Sequence, residues 1–298
     1  MRRYITKILL FFLLVAALDF VFGKVCNYMF SHPKGGETKA LQYLVNDCDK
    51  DILIMGSSRA HCHYDDKMIE DSLGISCYNA GVEGNGIIMM YGLYKLMKHK
   101  PKIIIYDLEP SFDLMEYAED QNNTRYVSIL KFFSSKEVDD ILQTLSPMLA
   151  LKNKSSLYRY NTRFITVAKD YLKGAPVGRY GFAPAQGEMS EEPIPAEVKQ
   201  VKVDSTKYSF FERFIECTKK DGVNLLVVAS PKYGFDGGSL EPIKSLCSQN
   251  DIRFLDYSND ERFQRLDYFK EPMHMNMKGA ILYSSIISKT IMEYVFIK

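Results

Sequence analysis

The stretch DILIMGSSRAHCHYDD, residues 51–66, opens on an acid and four apolar residues, then breaks on Gly56, Ser57, Ser58 and Arg59. Four apolar residues closed by a glycine are too few for a core helix and suit a fully buried strand. Strands buried on both faces belong to parallel sheets. Open sheets of that kind hold ligands just outside the carboxyl ends of their strands. A turn accounts for the glycine but does not by itself account for two hydroxyls at that edge.

Outward from this stretch the chain alternates strands and helices. DKMIEDSLG (66–74) reads as a helix ending on Gly74, and ISCYNAG (75–81) as a second strand. GIIMMYGLYKLMKHK (86–100) reads as an amphipathic helix with Lys95, Lys98 and Lys100 at its C-terminal end, where cations suit the helix dipole. PKIIIYDLEP (101–110) is a third strand. YSFFERFIECTKKDG (208–222), VNLLVVASP (223–231), LEPIKSLCSQND (240–251), IRFLDYS (252–258) and NMKGAILYSSIISKTIMEYVF (276–296) read as helix, strand, helix, strand and closing helix. The alternation predicts a doubly wound three-layer α/β/α fold on a parallel sheet.

Residues 112–205 interrupt this pattern as an insertion over the carboxyl edge of the sheet. Residues 128–174 read as helices, and APVGRYGFAPAQGEMSEEPIPAEVK (175–199) as a long Pro/Gly-rich loop. LYRYNTRF (157–164) supplies either aromatics and arginines that stack on sugars or one face of a packed helix.

The N-terminus carries MRRYITK and then ILLFFLLVAALDFVFG (8–23), a basic segment before an apolar run. This is the pattern of a secretory signal or signal anchor. Residues 5–25 are long enough to span a bilayer. The reading adopted is an uncleaved anchor over 1–25, with Arg2, Arg3 and Lys7 holding the N-terminus in the cytoplasm and the main domain outside. Cleavage after Ala17 and a buried amphipathic helix are the alternatives. Residues 26–48 follow as linker and short helix, and 49–298 as the α/β domain.

At 46% hydrophobic residues, 298 residues build a sizeable core, and a net charge of +1 offers no field for nucleic acid. The chain has 20 Tyr, 18 Phe and no Trp, and its six cysteines (26, 48, 62, 77, 217, 247) show no disulfide framework and read as small buried hydrophobes.

The candidate chemistry lies at strand ends. A serine becomes a nucleophile when a base takes its proton and an acid orients that base. Of the five histidines, His274 stands out in YFKEPMHMNMKGA (268–280), with Glu271 three residues before it and Pro272 between; Asp267 is a rival orienter. Ser57 fits a helix cap beside a reactive Ser58. Arg59 fits either a substrate carboxylate or phosphate, or an ion pair with Asp65. His61-x-His63 would put two rings on one face of a strand as metal ligands, but no third ligand is evident, and no metal or other cofactor is expected.

IMGSSRA followed far downstream by EPMHMNMKGA resembles the SGNH (GDSL-type) hydrolase superfamily. The resemblance covers roughly residues 50–112 and 222–290. It implies a flavodoxin-like fold with five parallel strands in the order two, one, three, four, five, and Ser58 as nucleophile, His274 as base and Glu271 in place of the usual Asp. YNAGVEGNG (78–86) resembles the second block, which implies that the N–H groups of Gly84 and Ser58 form the oxyanion hole. Asn79 from that motif, with Arg59, Asn85 and Ser111, are possible substrate-binding residues. The chain departs from the family at the third block, YDLEPSFD (106–113), where Glu109 and Ser111 occupy the region of the usual asparagine. Loss of one such donor costs roughly a hundred- to a thousandfold in rate in a serine protease. The pattern is similar to a membrane-anchored subgroup that assists D-alanylation of teichoic acids and acetylation of exported polysaccharides. That implies an extracytoplasmic esterase or O-acyltransferase with a cell-surface glycan or acylated polymer as substrate and a membrane-bound acyltransferase as partner. The alternative is a non-catalytic glycan-binding or assembly protein that keeps the fold.

Overall fold

A computed structural model of the chain describes residues 1–116, 127–174, 181–193, 202–234 and 240–296. In chain order its elements are α1 (Arg2–Ser31), α2 (Gly36–Asn46), β1 (Ile52–Gly56), α3 (Ser58–His63), α4 (Asp66–Leu73), β2 (Cys77–Asn79), α5 (Ile87–Leu96), β3 (Ile103–Asp107) and α6 (Pro110–Asp113). There follow α7 (Lys136–Leu145), α8 (Pro147–Lys152), α9 (Ser156–Tyr160), α10 (Phe164–Leu172), α11 (Ser205–Lys220), β4 (Asn224–Ala229), α12 (Glu241–Gln249), β5 (Arg253–Asp256), β6 (Phe269–Glu271), β7 (His274–Met275) and α13 (Met277–Phe296). The chain divides into two compact units, one of residues 1–43 and 127–177, the other of residues 44–126 and 178–298.

The larger unit is built on a five-stranded sheet in the order β2-β1-β3-β4-β5, every pair parallel. Strands β1 and β3 are buried along their whole length, as a sheet covered on both faces requires. Side chains alternate between the faces. Ile52, Ile54, Ile103, Ile105, Leu226 and Val228 pack with Tyr64, Ile69 and the Tyr283, Ile287 and Ile291 face of α13. On the other face Tyr106 meets Phe211 and Phe214 of α11 with ring centroids 5.3 and 5.5 Å apart. Helix boundaries follow local chemistry. Asp65 accepts the Met68 N–H at the start of α4, and Gly74 closes that helix in the left-handed conformation. Asp204 accepts two N–H groups at the start of α11. Helix α5 ends at Leu96, so Lys95 lies in its last turn and Lys98 and Lys100 lie beyond it.

In the smaller unit, α1 runs on to Ser31, past the residue-25 limit read from the sequence, because Cys26, Met29 and Phe30 find a core there with Phe132, Tyr160 and Val167. LYRYNTRF supplies part of that core: Tyr160 is fully buried and stacks on Phe132 at 5.0 Å. Residues 1–18 are exposed, and α1 is the one helix among the described residues long and apolar enough to cross a membrane. Of the loop read over 175–199, residues 181–193 contain no helix; the rest lies outside the described residues. All six cysteines are free and five are buried. Burial pushes the Cys62 and Cys247 thiols up to about 12, with Glu83 and Glu271 adding to the effect at Cys62, and burial raises Cys77 well above the usual range.

The sheet order reverses direction between β1 and β3, the topological switch point where such sheets bind ligands. Gly56 ends β1 there with φ +144°, and a Cβ at this position would stand 2.6 Å from the Asp107 carbonyl oxygen of β3. Gly56→Ala therefore combines a disallowed backbone with a backbone clash. It is expected to destabilise the chain by about 1–3 kcal/mol, read as a fall in the thermal midpoint of about 2–4 °C per kcal/mol. An unchanged midpoint would mean that the strand end is not constrained in this way.

Candidate active site

Ser58 follows the turn at Gly56 as the first residue of α3, where a helix N–H has no intrahelical acceptor. Far along the chain, β6 and β7 form a short antiparallel hairpin that pairs Glu271 with His274. The hairpin brings His274 Nε2 to 2.6 Å from Ser58 Oγ. His274 Nδ1 is bonded to Glu271 Oε1, and Glu271 Oε2 accepts the Met273 N–H at 2.9 Å. Burial opposes the Glu271 charge, but the bonds from His274 and Met273, with the charges of His274 and Lys270, hold its carboxyl below the usual range. With Nδ1–H donated to this carboxylate, Nε2 is free to accept a proton from the serine. Asp267, the rival orienter, instead pairs with Arg265 at 3.0 Å.

Beneath these three residues lies a polar cluster at the carboxyl ends of β1, β3 and β4. Arg59 is 2% exposed and donates to Glu109 at 2.6 Å, to the Ser230 carbonyl, and to Ser230 Oγ from Nη2 at 2.9 Å. Ser230 Oγ donates to Asp107 Oδ2 at 3.0 Å and stands 2.9 Å from His63 Nδ1. His63 Nε2 accepts the Met275 N–H at 3.1 Å, so the ring carries its proton on Nδ1 and donates it to Ser230. Tyr64 donates to Asp107 Oδ1 at 2.9 Å. Burial disfavours the Arg59 charge, but Asp107 and Glu109 outweigh it and hold the guanidinium protonated. Burial likewise opposes the Glu109 charge, yet Arg59 keeps that carboxyl below its usual range. His63 is pushed well below the ordinary imidazole value by burial first, then by the Arg59 and His274 charges.

This arrangement corrects several sequence expectations. Arg59 is no substrate residue and does not pair with Asp65; its donors are spent on Glu109 and Ser230, with Asp107 4.0 Å away. Asn79 is also structural: its amide donates to the Ala60 and Tyr64 carbonyls and accepts the Gly81 N–H. Ser111 donates its hydroxyl to Glu109 at 2.9 Å, so neither residue of the third block offers a free side-chain donor. Ser57 occupies the cap position of α3, but its hydroxyl is buried without a partner and makes no cap bond. His61 and His63 lie on helix α3, not on a strand. His63 faces Ser230, and the His61 ring is bonded at Gly181, with burial holding its pKa below the ordinary value. Among the described residues no group of His, Cys, Asp and Glu is arranged to hold a metal ion. Gly84 has φ +67°, and the adjacent Asn85 is buried with its amide donating to the Glu83 carbonyl and its oxygen unpartnered. Sequence reading missed Asp107 and Ser230. The signal for both was a polar residue at the carboxyl end of an apolar strand, in IIIYD and VVAS.

No protein-family model matches the chain, and no curated protein matches it significantly. Among solved structures it is similar to a "putative acylhydrolase" from Bacteroides fragilis, with 11% identity, 90% of this chain and 93% of that one covered, and a TM-score of 0.40. It is also similar to a "putative lipolytic protein of G-D-S-L family" from Desulfitobacterium hafniense, with 8% identity, coverage of 80% and 98%, and a TM-score of 0.41. At these scores neither likeness bears on the chemistry.

The His63 bonds set a stability test. His63→Phe strands the Met275 N–H and should cost about 1–3 kcal/mol in urea unfolding at pH 7, whereas His63→Gln keeps an acceptor within reach and should cost less. The unfolded histidine binds a proton near pH 6.5 and the folded one does not, so wild-type stability falls as pH drops below that value. The fall is at most about 1.4 kcal/mol per pH unit. His63→Gln lacks this group, and the gap between it and wild type should narrow from pH 7 to pH 5. A gap independent of pH would rule out a buried neutral His63.

Proposed function

We propose that the chain is a membrane-anchored, extracytoplasmic SGNH-type serine esterase or O-acyltransferase. The observation that carries this reading is the line from Ser58 through His274 to Glu271, set at the switch point of the sheet with a 2.6 Å contact between nucleophile and base. In the first half-reaction His274 Nε2 takes the Ser58 proton as Oγ bonds to the acyl carbon. Glu271 holds the imidazolium through Nδ1–H. The oxyanion is assigned to the N–H groups of Ser58 and Gly84 by the resemblance of the sequence blocks. The Nε2 proton then passes to the leaving alkoxide, and the acyl group remains as an ester on Ser58. In the second half-reaction water or a glycan hydroxyl gives its proton to Nε2 and attacks the ester, and Ser58 Oγ recovers that proton as it leaves. The substrate is an acyl ester on a cell-surface polysaccharide or its acyl donor, and a membrane-bound acyltransferase is the partner. The basic, apolar N-terminus and the resemblance of the two sequence blocks support these assignments. One observation favours the alternative of a non-catalytic glycan-binding protein: Glu109 is bound to Arg59, so the third block supplies no oxyanion donor.

A fluorophosphonate probe separates the two. Wild type should be labelled, Ser58→Ala should not, and Glu271→Gln should label or hydrolyse p-nitrophenyl acetate about 10²–10⁴-fold more slowly. No labelling of wild type would favour the binding protein. For the anchor, the full chain should stay in the membrane fraction through a carbonate wash; recovery of a soluble form starting near Leu18 would show cleavage.

A further inference from the structure

Asp19 sits inside the apolar run of α1, and three donors satisfy it. Its carboxylate accepts the Ser155 hydroxyl at 2.7 Å, the Ser156 N–H at 3.0 Å and the Leu157 N–H at 2.7 Å, all at the start of α9. One turn further along α1, a Cβ on Gly23 would run into the Ser156 side chain, so α9 approaches α1 as closely as a glycine allows. Phe22 and Phe164, at the head of α10, have ring centroids 5.4 Å apart. These contacts fix the starts of α9 and α10 beside residues 19–23 of α1.

Depth follows from helix geometry. A hydrocarbon core of about 30 Å takes about 20 helical residues at a rise of 1.5 Å each. If α1 crosses from Ile5, Asp19 lies roughly 21 Å along that path, short of the far boundary. A carboxylate there is costly unless it is bonded. Whatever bonds it lies at the same depth. The segment that does so carries Leu157, 44% exposed, and the flanking helices α8 and α10 expose Met148 at 57%, Leu151 at 66% and Ile165 at 80%. Leu18 and Val21 of α1, on either side of Asp19, are likewise exposed, at 57% and 59%. Residues 127–174 also hold eight Lys and Arg against four Asp and Glu, an excess that suits anionic headgroups.

We propose that helices α8 to α10 are seated in the lipid leaflet that holds the C-terminal half of α1, with Met148, Leu151, Leu157 and Ile165 among the acyl chains. This rests on the anchor reading. The occupant is lipid rather than protein because the start of α9 is bonded to Asp19, within the apolar run of α1 that reads as the span.

The chain has no tryptophan, so one substitution gives a single fluorescent reporter. The full chain carrying Leu151→Trp or Ile165→Trp is placed in phosphatidylcholine–phosphatidylglycerol vesicles with brominated acyl chains. Leu10→Trp reports the anchor, and Lys220→Trp reports water. The expected result is a blue-shifted emission and a loss of fluorescence at 151 and 165 comparable with that at 10, with none at 220. If position 10 is quenched while 151 and 165 behave like 220, the leaflet seat is overturned and the anchor stands. If position 10 is unquenched as well, the anchor reading fails and this inference falls with it.

Discussion

The charge on Arg59 is the constraint from which the site follows. A guanidinium removed from water needs its counter-ions and hydrogen-bond acceptors in place, and stranding such a charge costs roughly 3–5 kcal/mol. Here those partners come from the carboxyl ends of two other strands: Asp107 and Glu109 after β3, and Ser230 after β4. Ser230 passes the constraint to His63, and His63 to the backbone of Met275, next to His274. The imidazole beside Ser58 is thus positioned by a chain of bonds that begins one residue after Ser58 itself. Ser58 and His274, separated by more than two hundred residues, share a single buried scaffold.

The same scaffold accounts for the departure at the third block. A residue cannot both neutralise a buried arginine and donate to a substrate oxyanion. Glu109 has taken the first role, and Ser111 is bonded to Glu109. Two backbone N–H groups remain as the donors of the proposed oxyanion site. Asn85 stands next to one of them with a buried, unpartnered amide oxygen.

The sheet was legible because its strands are uninterrupted apolar runs, and a one-residue error in a buried run changes nothing about its burial. The pair Glu271 and His274 was legible because its spacing of three residues fits one hairpin. Arg59 and Asn79 were misread because a polar residue beside a reactive serine looks the same in sequence whether it faces a ligand or the interior. Only the positions of Asp107 and Ser230, far along the chain, decide that Arg59 turns inward. The strand placement considered for His61-x-His63 does not hold for a simpler reason: α3 begins at Ser58, so the period is that of a helix and the two rings diverge. The unit containing α1 and α7 to α10 rests on Asp19 meeting residues 155–157, a pairing that no local pattern announces.

The thiols give the fold a chemical dimension. Cys62 lies four residues after Ser58, yet its thiol, pushed up to about 12, holds almost no thiolate, the nucleophilic form, at neutral pH. Burial is the largest cause, with nearby carboxylates adding to it at Cys62 and Cys77, and at Cys247 burial acts by itself. Any opening that lets water reach these side chains returns them to ordinary cysteine reactivity. In an oxidising compartment a thiol exposed in that way can be captured as a disulfide before the structure closes again. In such a compartment time spent partly open becomes covalent damage, and lifetime is set by how rarely a core opens rather than by how stable it is on average.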